Sequence, residues 1–336
     1  MNIVRRIPLW IKCPVSVFIH QIGRLPIRIV LNNMRWSFVQ NRNSTQSTRE
    51  KVYKKVQMTV YLHLQKKYRS CIEKCLSSYS RGTPIENAPI WVFWWQGEEQ
   101  APYIVKICME HVRNNAGNRP VYIVDSTDFQ RFTDVPNHLL EKLRQGKMSV
   151  THFSDYLRMK LLADNGGLWI DASIFVKKAI DDKIFDKPLW TIRNPGCDTV
   201  NISNWNWTVG VIGGWKDNVL FHTVSAVLAN YWRDYDFVAD YFLMDCVVKL
   251  VYDNSQCVRE SIDSVEPNNK GFYYFQEKAD RALDDVDYQE ELRNNTWLYK
   301  NSWKGKYRTV LPDGTETFYG RWQRDFGSAI SNGEEI

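Results

Sequence analysis

The first 49 residues contain no Asp or Glu. That absence rules out a charge-balanced surface for the N-terminal segment and rules out an acidic tail. The segment carries eight Arg or Lys instead, and residues 1–80 hold 15 basic side chains against Glu50 and Glu73, a net +13. The other 256 residues carry −7. The chain also lacks any run of about 18 uncharged apolar residues, which disfavours a spanning helix. Arg5, Arg6, Lys12, Arg24 and Arg28 interrupt every apolar stretch near the start. No small-residue cleavage site follows the short apolar run, so a cleavable signal peptide fits poorly. The seven cysteines are scattered, odd in number and never spaced Cys-x-x-Cys. This argues against a disulfide framework or a zinc ribbon and favours a reducing compartment. There is no repeat and no low-complexity tract.

What remains is an ordinary globular composition, 44% hydrophobic and 24% charged, on a length that suits one large domain or a domain with an added module. The N-terminal segment interleaves Arg and Lys with Ile7, Leu9, Trp10, Ile11, Phe18, Ile19, Ile27, Ile29 and Leu31. Such a mixture suits a segment lying on an anionic membrane surface. A basic helical extension packed on the main domain is the competing reading. Nucleic-acid binding is not expected, because no recognised fold signature accompanies the charge. Residues 46–78 read as one long helix with Val52, Val56, Val60 and Leu64 on an apolar side and lysines opposite. Gly82 and Pro84 break it, which sets the expected boundaries: a basic helical module over 1–80, a catalytic domain over 81–327 and a loose tail over 328–336.

The main domain opens as β-α-β. Ile90-Trp91-Val92-Phe93 is a short apolar run ending near Gly97, and Pro102 suits the first turn of a helix reaching Asn114. Val121–Asp125 gives the second strand. In an α/β layer of this kind ligands sit at the strand C-termini, where Trp94, Trp95, Gln96 and Gly97 fall. One of the two tryptophans is expected in the core and the other facing out.

The densest pattern is residues 153–173. A helix from Phe153 to Asn165 is apolar almost all round, with Lys160 and Asp164 paired on a narrow polar strip. Asp155 and Arg158 lie i,i+3 on the side away from that strip. An acid and a base pointing inward from a buried helix are costly unless they are paired or used. Gly166-Gly167 ends the helix. The following segment reads as a strand with Asp171 and Ser173 on one face, a carboxylate and a hydroxyl able to hold a hard cation or a sugar.

Ser154-Asp155-x-x-Arg158, followed by Gly166-Gly167-Leu168-Trp169-Ile170-Asp171-Ala172-Ser173, resembles the signature of retaining glycosyltransferases of the family 32 type, shared with the glucosylating bacterial toxins. This version is most similar to bacterial capsular polysaccharide synthesis glycosyltransferases. Residues 88–176 carry the likeness, and weaker echoes reach about residue 304. The resemblance implies a GT-A type α/β fold, a mainly parallel mixed sheet between helices. It implies that Asp155 and Arg158 bind the donor sugar and that Asp171 meets a Mn²⁺ or Mg²⁺ ion and the ribose or diphosphate. Trp94-Trp95-Gln96-Gly97 would hold the nucleotide base, with an aromatic stack on uracil. Ser173 departs from the wider pattern, which has a second Asp there.

Downstream, Asn201, Asn204 and Asn206 with Trp205 and Trp207 line a sugar site or form turn and core. A helix over 239–253 carries Asp240 and Asp245, five apart and so on different faces, one suited to the reaction centre and the other to capping. The capsular family has a similar Asp-Tyr-Phe segment, which places Asp240 with the donor sugar and Asp245 among the catalytic residues. Thr296–Lys304 resembles the segment that closes over the donor diphosphate, with Lys300 and Lys304 countering leaving-group charge. Tyr299 stands where that family often has His.

The combined expectation is a glycosyltransferase moving a hexose from a UDP-sugar to a lipid-linked saccharide acceptor. Retention, capsular or cell-surface polysaccharide synthesis, and a peripheral place on the cytoplasmic face of the cell membrane complete it. The alternatives are a nucleotide-sugar hydrolase or phosphotransferase, and a catalytically degenerate saccharide-binding protein.

Overall fold

The computed structural model describes residues 9–197 and 200–327, with side chains from Pro14 onward. The expected tail 328–336 and the side chains of Leu9 and Trp10 lie outside the described residues. Four helices come first: α1 (Leu9–Gln21), α2 (Ile27–Gln40), α3 (Gln46–Lys67) and α4 (Arg69–Ser78). The single helix expected over 46–78 is divided, because Tyr68 leaves helical geometry (φ −106°, ψ 16°). Its buried ring is held there by a hydroxyl donating to Asp234 at 3.0 Å.

Then follow β1 (Ile90–Phe93), α5 (Tyr103–Asn114), β2 (Val121–Val124), α6 (Asn137–Arg144), α7 (Val150–Asn165), β3 (Gly167–Ile170), β4 (Ile174–Val176), β5 (Leu189–Thr191) and β6 (Val211–Gly214). The chain continues through α8 (Val219–Asp234), α9 (Leu243–Asn254), α10 (Gln256–Asp263), α11 (Tyr274–Lys278), α12 (Asp285–Arg293), β7 (Leu298–Lys300) and α13 (Phe318–Phe326). The main sheet has the order β2-β1-β3-β6-β5. β1 is parallel to β2 and β3, and β6 is antiparallel to both neighbours. This is a mixed α/β sheet in which four of the five strands run the same way. β4 and β7 form a separate antiparallel pair.

Strand alternation sorts the core into two layers. Trp91, Phe93, Trp169 and Ile212 face the layer of α7, α8 and α9. Ile90, Val92, Leu168, Ile170 and Val211 face the layer of α5, β4, β7 and α13. The N-terminal helices join the first layer, since Ile29, Val30, Val60, Leu64 and Ile72 belong to the same apolar cluster as α8 and α9.

The Gly-Gly pair is what brings β3 into the sheet. Gly166 and Gly167 both have positive φ (64° and 98°), and a Cβ on Gly167 would sit 2.2 Å from the Pro89 carbonyl oxygen. Only glycine allows that approach. The strand expected to run on through Asp171 and Ser173 does not. β3 stops at Ile170, and the Ile174 amide bonds back to the Asp171 carbonyl at 2.9 Å. The turn moves the chain into the second sheet, so Asp171 and Ser173 do not share a strand face.

Candidate active site

The carboxyl ends of β1 and β3 open onto a cleft with two lobes. The outer lobe is about 780 Å³ and is lined by Trp94, Trp95, Gln96, Ser173, Trp303 and Lys304 among others. The inner lobe is about 440 Å³ and is lined by Asn201, Trp205, Trp207, Asp245 and Tyr273 among others. They meet at residues common to both, notably Arg158, Asp171, Tyr241, Gln276 and Lys300.

Asp171 is the centre of that junction. Its Oδ1 accepts from Arg158 Nη2 at 3.0 Å and from Trp169 Nε1 at 2.9 Å, and its Oδ2 accepts from Lys300 Nζ at 3.0 Å. Each partner has a structural cause. Arg158 comes from α7, where its guanidinium lies over the Trp169 ring at 4.9 Å. Lys300 comes from β7, which pairs with β4 in the register Ile174↔Lys300. Gly210 leaves the room, because a Cβ there would stand 2.9 Å from Asp171 Oδ2. Burial pushes the Asp171 carboxyl up, but the Lys300 and Arg158 charges and the hydrogen bonds outweigh it and hold the group below the usual carboxylate range.

Asp155 lies beside this cluster. Its Oδ1 is 3.7 Å from Arg158 Nη1 and its Oδ2 is 3.5 Å from His152 Nδ1. The Lys160–Asp164 pair forms at 2.5 Å on the opposite strip of α7, as the spacing requires.

Asp245 behaves differently. It is 5% exposed in the first turn of α9, and its Oδ1 accepts from Trp207 Nε1 at 2.9 Å. Burial pushes its pKa up to about 7, despite the Trp207 bond and with help from Asp155. Asp240 lines neither lobe. α9 starts only at Leu243, and Asp240 lies in the turn before it, accepting from the Phe242 amide at 2.9 Å and from the Tyr53 hydroxyl at 3.3 Å. Asp240 therefore ties α3 to the turn that carries Tyr241, which lines both lobes.

Both Trp94 and Trp95 are half-buried on the outer lobe, where one in and one out was expected. Trp94 stands edge-on to Trp303 at 5.4 Å, and its buried Nε1 has no hydrogen-bond partner among the described residues. Lys304 is exposed on the same lobe, with its ammonium 5.2 Å from the Trp303 ring. Gln96 is exposed at the rim, and Gly97 turns the chain there at φ 82°. Tyr299 is buried away from the cleft, donating to Glu291 at 3.0 Å.

The donors at the junction do not fit a divalent cation held by the protein. The single carboxylate, Asp171, is already shared by two cations and an indole N–H, and Ser173 adds only a neutral hydroxyl. No group of three His, Cys, Asp or Glu suited to a metal occurs among the described residues. Sequence reasoning passed over Tyr241, Phe272, Tyr273 and Gln276 as site residues. The run Phe272-Tyr273-Tyr274-Phe275 was the available signal, four aromatics too many for one buried face.

A family model described as capsular polysaccharide synthesis protein matches residues 40–322. The chain belongs to this family. The match takes in both lobes, the Asp171 cluster and helices α3 and α4. The chain is also similar to the O-glycosyltransferase PaGT of Phomopsis amygdali, 30% identical over 122 residues. That alignment covers 33% of this chain and only 29% of the relative's length.

Proposed function

We propose that this member of the capsular polysaccharide synthesis family is a glycosyltransferase that moves a hexose from a nucleotide sugar, UDP-hexose in the simplest reading, to a saccharide acceptor carried on a lipid. One observation carries the reading: two lobes of one cleft meet at a carboxylate held between Arg158 and Lys300. The outer lobe offers aromatic faces for a base and the exposed Lys304 ammonium for phosphates. The junction offers two cations where a diphosphate would leave. Family membership and the similarity to an O-glycosyltransferase support the same role.

In this mechanism the bond from the sugar C1 to the diphosphate oxygen breaks and a bond from C1 to the acceptor oxygen forms on the same face. The acceptor's proton passes to the departing diphosphate. Arg158, Lys300 and Lys304 counter the charge that develops on that leaving group, and Asp155 and Arg158 fix the hexose hydroxyls. The resemblance in the Ser-Asp-x-x-Arg segment supports retention.

The outer face of α2 and α3 supports a peripheral place on an anionic membrane. Across the Asn32–Thr59 hydrogen bond (2.8 Å), Arg28, Leu31 and Arg35 adjoin Lys55, Met58, Leu62 and Lys66, all of them exposed. No described helix is long and apolar enough to cross a membrane.

The test is a donor screen over UDP- and GDP-hexoses, with and without EDTA, reading nucleotide release and the anomeric configuration of the product by NMR. Release from one donor that survives EDTA, with a retained product, is the expected result. Donor binding without turnover for every acceptor would move the protein to the saccharide-binding reading, and free hexose as the sole product would make it a hydrolase.

A further inference from the structure

We infer that the inner lobe is the acceptor subsite, and that it takes the terminal pyranose of a neutral saccharide, stacked against Trp205 and Tyr273. The inference rests on the transferase reading above and adds where, and to what chemistry, the second substrate binds.

The first observation is backbone strain. Asn204 and Trp205 are consecutive residues with positive φ, 47° and 56°. L-residues avoid this region, most of all bulky ones. The conformation is over-determined by its surroundings. The Asn204 amide bonds to the Asn201 carbonyl at 2.9 Å, the Asn206 amide to the Ser203 carbonyl at 2.9 Å, and the Asn194 amide to the Trp205 carbonyl at 2.8 Å. Strain held this firmly marks a side chain whose placement matters. The turn sets the Trp205 indole on the wall of the inner lobe, at 78° to the Tyr273 ring with centroids 5.6 Å apart.

The second observation is chemical selection. Trp205 and Tyr273 line the inner lobe and not the outer one. The C–H face of a pyranose is apolar and its edges are hydroxyls, which matches aromatic walls above a polar floor. That floor is Asp245, the carboxyl lining the lobe that the donor reading leaves unused, a hydrogen-bond partner for hydroxyls. Among the described residues lining the lobe the cations are Arg158 and Lys300, which stand at the junction where the donor diphosphate would leave, so none remains for a second phosphate group. The lobe is therefore unsuited to the phosphates of a lipid carrier, which would have to lie beyond it, and suited to a neutral sugar. Tyr241, 65% exposed and shared by both lobes, stands between the two substrates.

The experiment compares Trp205→Ala, Trp205→Phe and Tyr273→Ala with the parent chain, using a panel of octyl hexosides as acceptors. The expected result is a split. Acceptor KM rises at least tenfold in Trp205→Ala while donor KM moves less than about twofold, and Trp205→Phe recovers most of the loss. A rise confined to donor KM, or no change in either, overturns the inference. Saturation-transfer NMR of the hexosides on the intact protein with UDP present gives a readout that needs no turnover. Saturation reaching the hexoside ring protons, and lost in Tyr273→Ala, supports the subsite; undiminished saturation in both alanine variants overturns it. Should the parent chain turn over no donor at all, the transferase reading fails while the NMR arm still decides where saccharide binds.

Discussion

The junction holds a partly buried carboxylate and the floor of the inner lobe a fully buried one, and the two shift in opposite directions. Asp171 has Arg158 and Lys300 on its oxygens and is held below the usual carboxylate range. Asp245 has one indole N–H, with Asp155 and Asp240 adding like charge, and burial lifts it to about 7. Burial acts upward on both, so the partner decides the sign. Near neutral pH the junction holds a fixed negative charge between cations. The inner floor holds a carboxyl that can donate to a hydroxyl as well as accept from one. Pairs of acids pushed apart in this way are how one site divides charge stabilisation from hydrogen bonding.

The comparison breaks most completely if the junction loses a member. Asp171→Asn leaves buried Arg158 and partly buried Lys300 without their counter-charge, and Arg158→Ala leaves Asp171 with Lys300 alone. Each should lower transfer by on the order of 10³-fold. Removing one member of this partly buried cluster should also cost roughly 1–3 kcal/mol of stability, read by urea unfolding. The pH sign follows from the depressed pKa. The stability Asp171 contributes is present above its unfolded value of about 3.9 and is lost as pH falls through the folded value. The Asn variant should therefore lose less stability than the parent chain on acidification. Full turnover in either variant would make the cluster structural.

Asp245 runs the other way. Its raised pKa means the folded state holds the proton more tightly than the unfolded chain does. Stability from this group is present below about pH 4 and is lost as pH rises towards 7, by a few kcal/mol in total. Asp245→Asn keeps an oxygen for Trp207 and removes the titration. It should be more stable than the parent chain at pH 8 and no more stable at pH 4, while transfer falls by roughly 10- to 100-fold. Thermal unfolding at the two pH values checks the sign; a parallel shift at both would show that Asp245 does not titrate near neutrality.

The sequence makes the junction's parts legible but not their meeting. Asp155, Arg158 and Asp171 follow from helical and strand spacing within one segment. The lateral strand β7 that delivers Lys300 from 129 residues away does not, because cross-chain register leaves no local signature. The turn at Asp171–Ser173 was read as continued strand for a related reason. Apolar alternation through Ile170, Ala172 and Ile174 looks the same whether the chain stays in one sheet or crosses to another. Residues 239–242 suit a helix by composition but form a turn before Leu243, because Tyr53 from α3, distant in sequence, bonds Asp240 there. The Gly-Gly turn was readable because its cause is local.

The outer lobe offers a sharper, smaller test. Trp94 presents a face and an unpartnered Nε1, neither of which titrates. Trp94→Ala should weaken UDP binding about tenfold, some 1–1.5 kcal/mol, and by the same factor at pH 6 and pH 8. Isothermal titration at both pH values measures it. A pH-dependent loss would mean that Trp94 acts through a titrating neighbour, and the separation of the lobes would fail.

The smallest effect per residue belongs to the cations outside the cleft, and it separates paired charge from unpaired. Arg158 and Lys300 lie against Asp171 and are shielded by the protein. Arg28, Arg35, Lys55 and Lys66 on the outer face of α2 and α3 are exposed, and none of them forms an ion pair with an acid among the described residues. Each is worth about 1 kcal/mol against an anionic bilayer, and the interaction decays within a Debye length of roughly 8 Å at physiological salt. Leu31, Met58 and Leu62, about half exposed beside them, would add an apolar part that salt does not touch. Lys55→Glu with Lys66→Glu should therefore reduce co-sedimentation with phosphatidylserine vesicles at 0.1 M salt by well over tenfold. It should change donor hydrolysis in solution little, because neither residue approaches the cleft. Raising the salt to 0.5 M should weaken vesicle binding of the parent chain towards that of the double variant, while donor hydrolysis holds. Equal binding of the parent chain to neutral and anionic vesicles would remove the electrostatic reading of this face. Hydrolysis falling in step with vesicle binding as salt rises would show that the junction cations are as exposed to screening as the surface ones, against the pairing seen at Asp171.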